Sequence, residues 1–478
     1  MRHSLFSVAA LSFLAAFLPH TAKGLTLQEA VRIAVASNPE IGQAIQNREA
    51  IEFELRQSRG LYLPSFDLEA SGGVRRLASP SRTGLGFSGT ALTPAETSLV
   101  VTQTLYNNGR RRAEINLQAS RVDGASSRVL ERSSAIGLQV VQEYLEYLLQ
   151  LKIRRAAANS LAFHKSILGQ ISESVAGGSR TEADRQQVVE RMIAAQARLK
   201  EADEAAEVAR IRFLRLVGEP LVNVSHPSSI APFLPRTLDE AIGIAKTNNS
   251  LIKSAQADVD AAHARVKAAN ADRGPEIFLE GRGRVGFDVD GSDGESDDLQ
   301  ARVVARWNIF QGGIGRAEKQ EQVRRASEQR FALHQAFREV EEAVRVSWNR
   351  RDKQRSLANI LKRQAGENAR LVDTYRRQFF TVGTRSLLDV LDAQNTRFNV
   401  QILSETASSA AQFSQYQLIA AMGRLLPSLG VEAPSASEDY ARNEFNVSGT
   451  PQTETYARVP SRQQNKLPLD LLAPIRKK

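Results

Sequence analysis

The sequence predicts a mainly α-helical fold that also carries a membrane β-barrel, built on a plan that the chain repeats. Three observations predict it: an internal duplication, two sets of alternating strands and two very long helical hairpins. The chain has 478 residues, which is enough for several domains. It contains no Cys, which excludes disulfides, thiolate metal sites and cysteine nucleophiles. The His residues are scattered singly, so no metal site is predicted.

The first 24 residues have the pattern of a secretory signal peptide. A short basic start precedes the apolar run Leu5–Leu18, and a polar stretch ends at Ala22-Lys23-Gly24. A membrane-spanning helix needs about 20 apolar residues, more than this run provides. We therefore expect residues 1–24 to be removed on export, with a mature chain that begins near Leu25.

The rest of the chain contains one duplication. Residues 26–74 align without a gap on residues 237–285, and 15 of the 49 positions are identical. Chance would supply about three identities at ordinary residue frequencies. Two shorter similarities follow in the same order, Leu105–Glu114 with Ile309–Glu318 and Gly178–Asp184 with Gly383–Asp389. The sequence thus predicts two repeats, 25–234 and 235–427.

Each repeat opens with a predicted helix of about 35 residues, which ends before Pro64 or Pro275. Thr26 with Glu29, and Thr237 with Glu240, have the spacing of capping boxes at the helix start.

Two strands follow in each repeat. Residues 277–287 and 299–309 alternate apolar odd positions with largely polar or charged even ones, and residues 66–74 and 99–105 do so more weakly. Strands of 9–11 residues with one apolar face are typical of outer-membrane barrels, although a soluble hairpin is the alternative. On the barrel interpretation, the lipid-facing residues include Ile277, Leu279, Leu299, Val303 and Trp307, and the lumen-facing residues include Arg282, Arg284, Arg302 and Arg306.

Four strands per chain are too few for a barrel, because eight is the practical minimum. Either the chain has further strands without a clear alternating pattern, or several copies of the chain build one barrel. Three copies would give twelve strands with no open edge.

Long helical hairpins complete each repeat. Residues 110–176 and 181–217 form the first, and residues 315–378 and 386–426 form the second, with turns at Gly177-Gly178 and Gly383. Apolar residues recur at coiled-coil spacing. The remaining residues, 428–478, are rich in Pro, Ser and basic side chains, and we expect a poorly ordered tail there.

Several short motifs resemble the TolC-like outer-membrane efflux protein family over about residues 25–427. They are the opening T-L-x-E-A, the strand ends L-Y-N-N-G-R and I-F-Q-G-G, and V-G-T-R-S-L-L-D-V-L-D-A-Q at Val382–Gln394. The resemblance implies a homotrimer with a twelve-stranded barrel in the outer membrane and an α-helical barrel across the periplasm. It implies an exit duct without a cofactor, which serves an inner-membrane pump (ABC or proton-driven) and a periplasmic adaptor in type I protein secretion or small-molecule efflux.

The resemblance also implies two sites near the second turn. Asp389 and Asp392 match the family's acidic constriction, and Arg385 with Asp184 match a link between hairpins that closes the tunnel. Local alternatives remain open: Ser386 and Asp389 can form a capping box, and Arg385 can pair with Asp389 at i,i+4 spacing. By the same spacing Arg180 can pair with Asp184, and Asp392 can be simply solvated.

Two departures from the family concern the same region. Phe380 stands where relatives carry a Tyr, and the first turn is unusually basic at Arg180.

An alternative function is a periplasmic coiled-coil structural or adaptor protein without a channel. Three other patterns are not interpreted as sites. The two G-x-G-x-x-G matches do not indicate a nucleotide site, because neither has a strand before it and a helix after it. The acidic residues 288–298 do not indicate a calcium site, and the Arg clusters do not indicate nucleic-acid binding. No nucleophile–base arrangement is evident, so enzymatic activity is not expected.

Overall fold

The computed structural model of the protein describes residues 25–77, 80–84, 91–221, 224–289 and 294–450. The predicted signal peptide at residues 1–24 lies outside the described residues, and so do residues 451–478 of the predicted tail.

Helices dominate the structure. In chain order they are α1 Leu27–Ser37, α2 Pro39–Gly60, α3 Pro80–Gly84, α4 Arg110–Ala176, α5 Glu182–Val217, α6 Leu238–Asn248, α7 Ser250–Ala271, α8 Ile314–Arg377, α9 Leu387–Ala421, α10 Leu425–Ser428 and α11 Ala441–Glu444. The two predicted helical hairpins are therefore present, as α4–α5 and α8–α9. No helix in the described part of the chain is both long and apolar enough to cross a lipid bilayer.

The strands are β1 Ser65–Gly72, β2 Arg75–Arg76, β3 Ala91–Leu92, β4 Ala95–Tyr106, β5 Glu276–Phe287 and β6 Glu295–Arg306. Both repeats thus follow the same order of two helices, two main strands and a long helical hairpin. The predicted mainly helical fold with few strands is confirmed.

The opening helix of each repeat is capped as predicted, but it is not continuous. The hydroxyl oxygens of Thr26 and Thr237 accept the backbone N–H of Glu29 and Glu240, each at 3.2 Å. The prediction of one helix of about 35 residues is wrong, because Asn38 and Asn249 interrupt it at equivalent positions. Each takes up an extended backbone conformation, and its side chain caps the next helix by accepting a backbone N–H two residues later, at 2.9 Å.

Four strands form one antiparallel sheet in the order β1-β4-β5-β6. Its register pairs Leu68 with Leu99, Leu99 with Gly283, and Gly283 with Leu299, so that apolar positions of all four strands share one face. The opposite face collects the charged positions, except for Glu295 and Asp297 at the start of β6. Since β4 belongs to the first repeat and β5 to the second, the sheet joins the two repeats edge to edge.

The chain divides into two compact units, and neither unit coincides with a sequence repeat. The first comprises the described parts of Met1–Ala34, Val140–Ser229 and Ala365–Glu405. The second comprises the described parts of Val35–Gln139, Ile230–Gln364 and Thr406–Lys478. Each unit draws on both repeats, because the long helices contribute one part of their length to each.

The core of the first unit lies around the helical turns. Two apolar clusters form it. The cluster nearer the turns consists of Ile167, Ile171, Val188, Phe379, Leu387, Val390 and Leu391. The second cluster lies further along α4, α5 and α9 and consists of Ala156, Ala157, Ala202 and Phe398.

The core of the second unit draws on α2, α4, α7, α8 and α9, and it includes residues from the C-terminal segment. Ala441 is fully buried against Leu55, Ala119 and Val122. The expectation of poor order is therefore wrong for residues 428–450, which contain the last residue of α10, a 3₁₀ turn at Ser435–Ser437 and α11.

Long-range polar contacts explain this order. Arg442 forms ion pairs with Asp123 of α4 and Asp260 of α7, both at 2.9 Å, and both carboxylates are nearly inaccessible to solvent. The backbone N–H groups of Ala441 and Thr450 donate to the same two carboxylates. A composition rich in Pro and Ser could not reveal these partners.

Candidate functional site

The first hairpin turn reverses the chain with a glycine and a capped helix start. Gly178 has a φ of +72°, in the left-handed region that favours glycine. Thr181 then caps α5: its hydroxyl oxygen accepts the N–H of Asp184 at 3.2 Å, and its own N–H donates to the Asp184 carboxylate at 3.1 Å. The Asp184 carboxylate is thus part of a capping box.

The second turn has equivalent residues at an offset of 205, with Ser386 in place of Thr181. Gly383 has a φ of +73°, and Ser386 forms the same reciprocal pair with Asp389, at 3.1 and 3.2 Å. The backbone N–H and hydroxyl of Ser386, with a smaller contribution from the Arg385 charge, hold the pKa of Asp389 below its usual range. Asp389 is therefore ionised at neutral pH while it caps the helix.

A π-helical turn distinguishes the second hairpin. Residues Gln378–Val382 form it at the end of α8, and the backbone N–H groups of Gly383 and Thr384 both donate to the carbonyl of Gln378. The wider turn directs Phe379 into the apolar cluster, where it is 3% exposed, while Phe380 stays partly exposed. Such turns are rare and occur often at functional sites.

Arginine side chains stack on aromatic rings around both turns. The guanidinium carbon of Arg180 lies 4.5 Å from the ring centre of Phe379, and that of Arg385 lies 4.3 Å from the ring centre of Tyr375. Arg385 also donates from Nε to Gln378 at 3.2 Å. The contact of Arg180 with Phe379 was not predicted, because no spacing rule links residues so far apart in the sequence.

Within one chain, the predicted partners at the turns have other contacts. No ion pair joins Arg385 to Asp184 in the described part of the chain, and neither local i,i+4 ion pair is formed there. Asp392 is exposed and lies 3.5 Å from Arg191 of α5. The capping alternative for Asp389 is confirmed. Contacts between copies of the chain stay a prediction.

The four predicted lumen arginines share one face of the sheet, as the alternation predicts. Arg302 pairs with Glu280 across β5 and β6 at 2.6 Å, and Arg282 pairs with Glu96 of β4 at 3.3 Å. Arg306 lies 5.2 Å from the ring centre of Phe278, and Arg284 stands between Ser98 and Asp298 in the register.

This face is not predominantly basic. Besides the four arginines, its register places six carboxylates there, at Asp67, Glu69, Glu96, Glu276, Glu280 and Asp298. Cross-strand pairing of opposite charges stabilises the sheet. The face is therefore a ladder of paired charges.

The opposite face is apolar and open to solvent in the single chain. Leu299 is 89% exposed, Leu68 73%, and Val303 66%. An exposed apolar surface of this extent marks contact with a membrane or a partner. In the described residues, no group of three or more His, Asp or Glu side chains is placed to hold a metal ion.

Comparison with known proteins agrees with this geometry. A family model described as "Outer membrane efflux protein" matches residues 30–219 and 241–424. Outer membrane efflux protein BepC of Brucella suis is 26% identical over 258 residues, which are 52% of this chain and 54% of that protein. The match therefore spans about half the length of this curated relative.

Solved structures share the fold. A membrane protein from Pseudomonas aeruginosa matches with a TM-score of 0.72 at 20% identity, covering 83% of this chain and 90% of that one. The outer membrane protein VceC of Vibrio cholerae matches with a TM-score of 0.70 at 15% identity, covering 85% of this chain and 97% of that one. At these identities the likeness is one of fold alone.

The family is one of channels and not of enzymes, and its members lie in the outer membrane and reach into the periplasm. Its model covers most of the chain and both predicted repeats. By these matches the chain belongs to the outer membrane efflux protein family.

Proposed function

We propose that this chain is one of three identical protomers of a passive outer-membrane exit duct. The observation that carries the proposal is the four-stranded sheet, which has one exposed apolar face, one charged face and two open edges. In the described residues, β1 and β6 each pair with one neighbour only.

The strand length fits a lipid bilayer. Strands β4, β5 and β6 have 12 residues each. At about 3.3 Å per residue and a tilt of roughly 40°, such strands rise about 30 Å, enough for an apolar band about 25 Å tall. The apolar face would contact lipid, and the face with Arg282, Arg284, Arg302 and Arg306 would line the lumen.

The open edges support assembly from several copies. Unpaired edge strands invite pairing with another chain, and a closed barrel removes them. Three copies would place β6 of each protomer beside β1 of the next and give twelve strands.

The duct would receive its cargo from an inner-membrane pump, ABC or proton-driven, through a periplasmic adaptor. The cargo would be a protein in type I secretion or a small molecule in efflux. Transport by such a duct needs no catalytic group, so we propose that the protein is not an enzyme.

The helical turns would form the periplasmic entrance. Three copies of Asp389 and Asp392 would bring six carboxylates together, and a ring of carboxylates prefers cations. Capping does not remove the charge of Asp389, so this proposal is compatible with the capping box. Arg385 and Asp184 of different copies would then supply the closing link, without help from a hydroxyl at Phe380.

The alternative function, a periplasmic structural or adaptor protein, does not explain why one face of the sheet is apolar and exposed. A sheet in water would keep one face covered by the core of the protein and the other polar. Here Leu299 and Val303 have no such cover in the described structure.

Two neighbouring valines test the orientation. Val303 faces the apolar side opposite Leu279, and Val304 faces the charged side opposite Phe278. An Arg on the lipid face near the bilayer centre costs about 2–4 kcal/mol per chain. Val303→Arg should therefore reduce the amount of heat-sensitive trimer in the outer-membrane fraction, whereas Val304→Arg should insert normally and alter single-channel conductance in planar bilayers.

The two variants carry the same substitution one residue apart, so each is the control for the other. Equal insertion of both would contradict the proposed orientation. A wild-type protein that fractionates with the soluble periplasm would favour the alternative function.

A further inference from the structure

A buried polar layer interrupts the apolar packing of the first unit. Helices α4, α5 and α9 meet in two apolar clusters, one that contains Ile167, Val188 and Leu391 and one that contains Ala157, Ala202 and Phe398. His164 lies on α4 between them, and its side chain is only 5% exposed. Its Nδ1 atom has no hydrogen-bond partner in the described residues.

The charged groups around His164 are mostly cationic. Arg191 and Arg198 face it from α5. From α9, Asp392 lies 3.5 Å from Arg191, and the neutral Asn395 accepts a hydrogen bond from Arg198 at 2.8 Å.

Two further cations lie near this layer. On α8, Arg376 lies 6.0 Å from the ring centre of Phe163, which contacts the edge of His164. Lys165 is the next residue on α4. Arg191 has two carboxylate partners, Asp392 of α9 and Glu190 of α5 at 3.4 Å, and both of their side chains are largely exposed.

This environment opposes a charge on the imidazole. Burial, and then the charges of Arg191 and Arg198, lower the pKa of His164 from 6.5 to about 4. The neutral form therefore prevails at pH 7. The pKa of His164 is lower in the folded state than in the unfolded state. The packed helices are therefore most stable above about pH 6.5, and their stability declines as the pH falls towards about 4.

We propose that His164 makes the helical packing behind the turns sensitive to acid, so that its protonation separates α4 from α5 and α9 and opens the entrance. A third positive charge beside Arg191 and Arg198 would be buried, whereas the two carboxylates that pair with Arg191, Glu190 and Asp392, remain largely exposed to solvent. Such a charge disfavours the packed state unless solvent enters.

The cluster that contains Ile167 would connect the protonation of His164 to the second turn. Ile167 and Ile171, which follow His164 on α4, pack with Phe379 of the π-helical turn and Leu387 at the start of α9. Loss of packing at His164 would thus release the residues that hold the second turn. The opening of the entrance rests on the proposed duct function, whereas the acid sensitivity of the layer does not.

Hydrogen exchange of the full-length protein in detergent, measured at pH 7 and pH 5 and corrected for intrinsic exchange rates, tests the layer. From pKa values of about 4 and 6.5, the opening equilibrium of residues 386–396 should rise roughly twentyfold between these pH values. His164→Gln should abolish this rise. His226→Gln, at an exposed His, should leave it unchanged.

His164→Leu gives a second variant, because an apolar side chain suits the buried layer and cannot titrate. It should also remove the acid response while keeping the segment protected at both pH values. A twentyfold rise that persists in both His164 variants would overturn the inference, and so would a wild-type protein without any rise.

Single-channel recording at the same pH values tests the entrance separately. Wild-type conductance should increase at pH 5, and that of His164→Gln should not. A channel that conducts equally at both pH values would overturn the proposed opening and leave the duct function standing. Absence of conductance at any pH would count against the duct function, while hydrogen exchange would still decide the acid response.

Discussion

The two helical turns of this protein carry the same motif and use it differently. Both have glycine, a hydroxyl residue, Arg, a second hydroxyl residue and, three positions later, Asp, at Gly178–Asp184 and Gly383–Asp389. Both glycines take a left-handed conformation, and both aspartates complete capping boxes. The arginines differ: Arg180 contacts Phe379 of the other hairpin, whereas Arg385 folds back on Tyr375 of its own.

The helix end before each turn explains the difference. In the first hairpin α4 continues as an α-helix to Ala176, but in the second the π-helical turn Gln378–Val382 precedes the glycine. The duplicated motif thus determines the local cap, and the preceding turn determines where the arginine lies. Arg180 joins the hairpins within a chain, and Arg385 stays exposed and accessible to another copy.

The largest expected effect comes from removing the buried ring that only the second turn has. Phe379→Ala should lower the free energy of local unfolding around the start of α9 by about 3–5 kcal/mol, since it removes a buried aromatic side chain and leaves a cavity. Hydrogen exchange of residues 387–394 measures this change.

Phe380→Ala is the matched control, because the neighbouring ring is 39% exposed. It should cost much less than Phe379→Ala. Equal costs for the two substitutions would mean that the π-helical turn does not direct Phe379 into the core.

A smaller effect is expected from the two glycines, and it should be the same at both turns. Gly178→Ala and Gly383→Ala should each cost about 1–2 kcal/mol, because both have positive φ and neither new methyl group meets an atom within 4 Å. Gly169→Ala, inside α4 and equally unobstructed, should instead stabilise the helix by about 1 kcal/mol.

Hydrogen exchange across each turn provides the comparison. A clearly lower cost at Gly383 than at Gly178 would indicate that the π-helical turn relaxes to relieve the strain, which would make the second turn the more adaptable of the two.

The smallest effect per chain is expected at the arginines, although three copies can add. An exposed ion pair contributes about 0–1 kcal/mol, so three links between Arg385 and Asp184 would favour the closed state by up to roughly 3 kcal/mol, or about a hundredfold in population. Arg385→Ser should therefore raise single-channel conductance and sensitise cells to large antibiotics. Arg180→Ser should weaken the contact with Phe379 and leave conductance nearly unchanged.

The exchange of charges tests whether Arg385 and Asp184 meet in the proposed trimer. Arg385→Asp combined with Asp184→Arg should restore closure if they do. Because Asp184→Arg also removes the carboxylate from the capping box of α5, the single variant Asp184→Arg is the control. A double variant that leaks as much as Arg385→Ser, while hydrogen exchange shows the start of α5 still protected in Asp184→Arg, would rule out the link between hairpins.

Features determined by a few neighbouring residues could be predicted from the sequence. The capping boxes at Thr26 and Thr237 each depend on one residue three positions later, and the faces of β5 and β6 depend on simple alternation. The break at Asn38 also has a local signal in the Pro39 that follows, but the helical pattern continues beyond it and predicts a single helix.

Features that depend on distant partners could not be predicted. Arg180 and Phe379 are almost 200 positions apart, and Phe379 of the π-helical turn packs in a cluster with residues of α4 and α5 that are equally distant in the sequence. The burial of His164 likewise results from the packing of α4 against α5 and α9, which the sequence around His164 does not indicate. The predicted acidic ring at Asp389 and Asp392 depends on contacts between copies, which lie beyond a single chain.

The ion pairs of Arg442 have a consequence for how the protein is made. Translation and export deliver Asp123 and Asp260 long before residues 441–450, which bring the guanidinium and the backbone N–H groups that these carboxylates require. Until then, burying the two carboxylates is costly, because removing the cation from a buried pair leaves an uncompensated charge. The second unit can complete its core only after the C-terminal segment has arrived, so a prematurely terminated chain keeps that core open to periplasmic proteases.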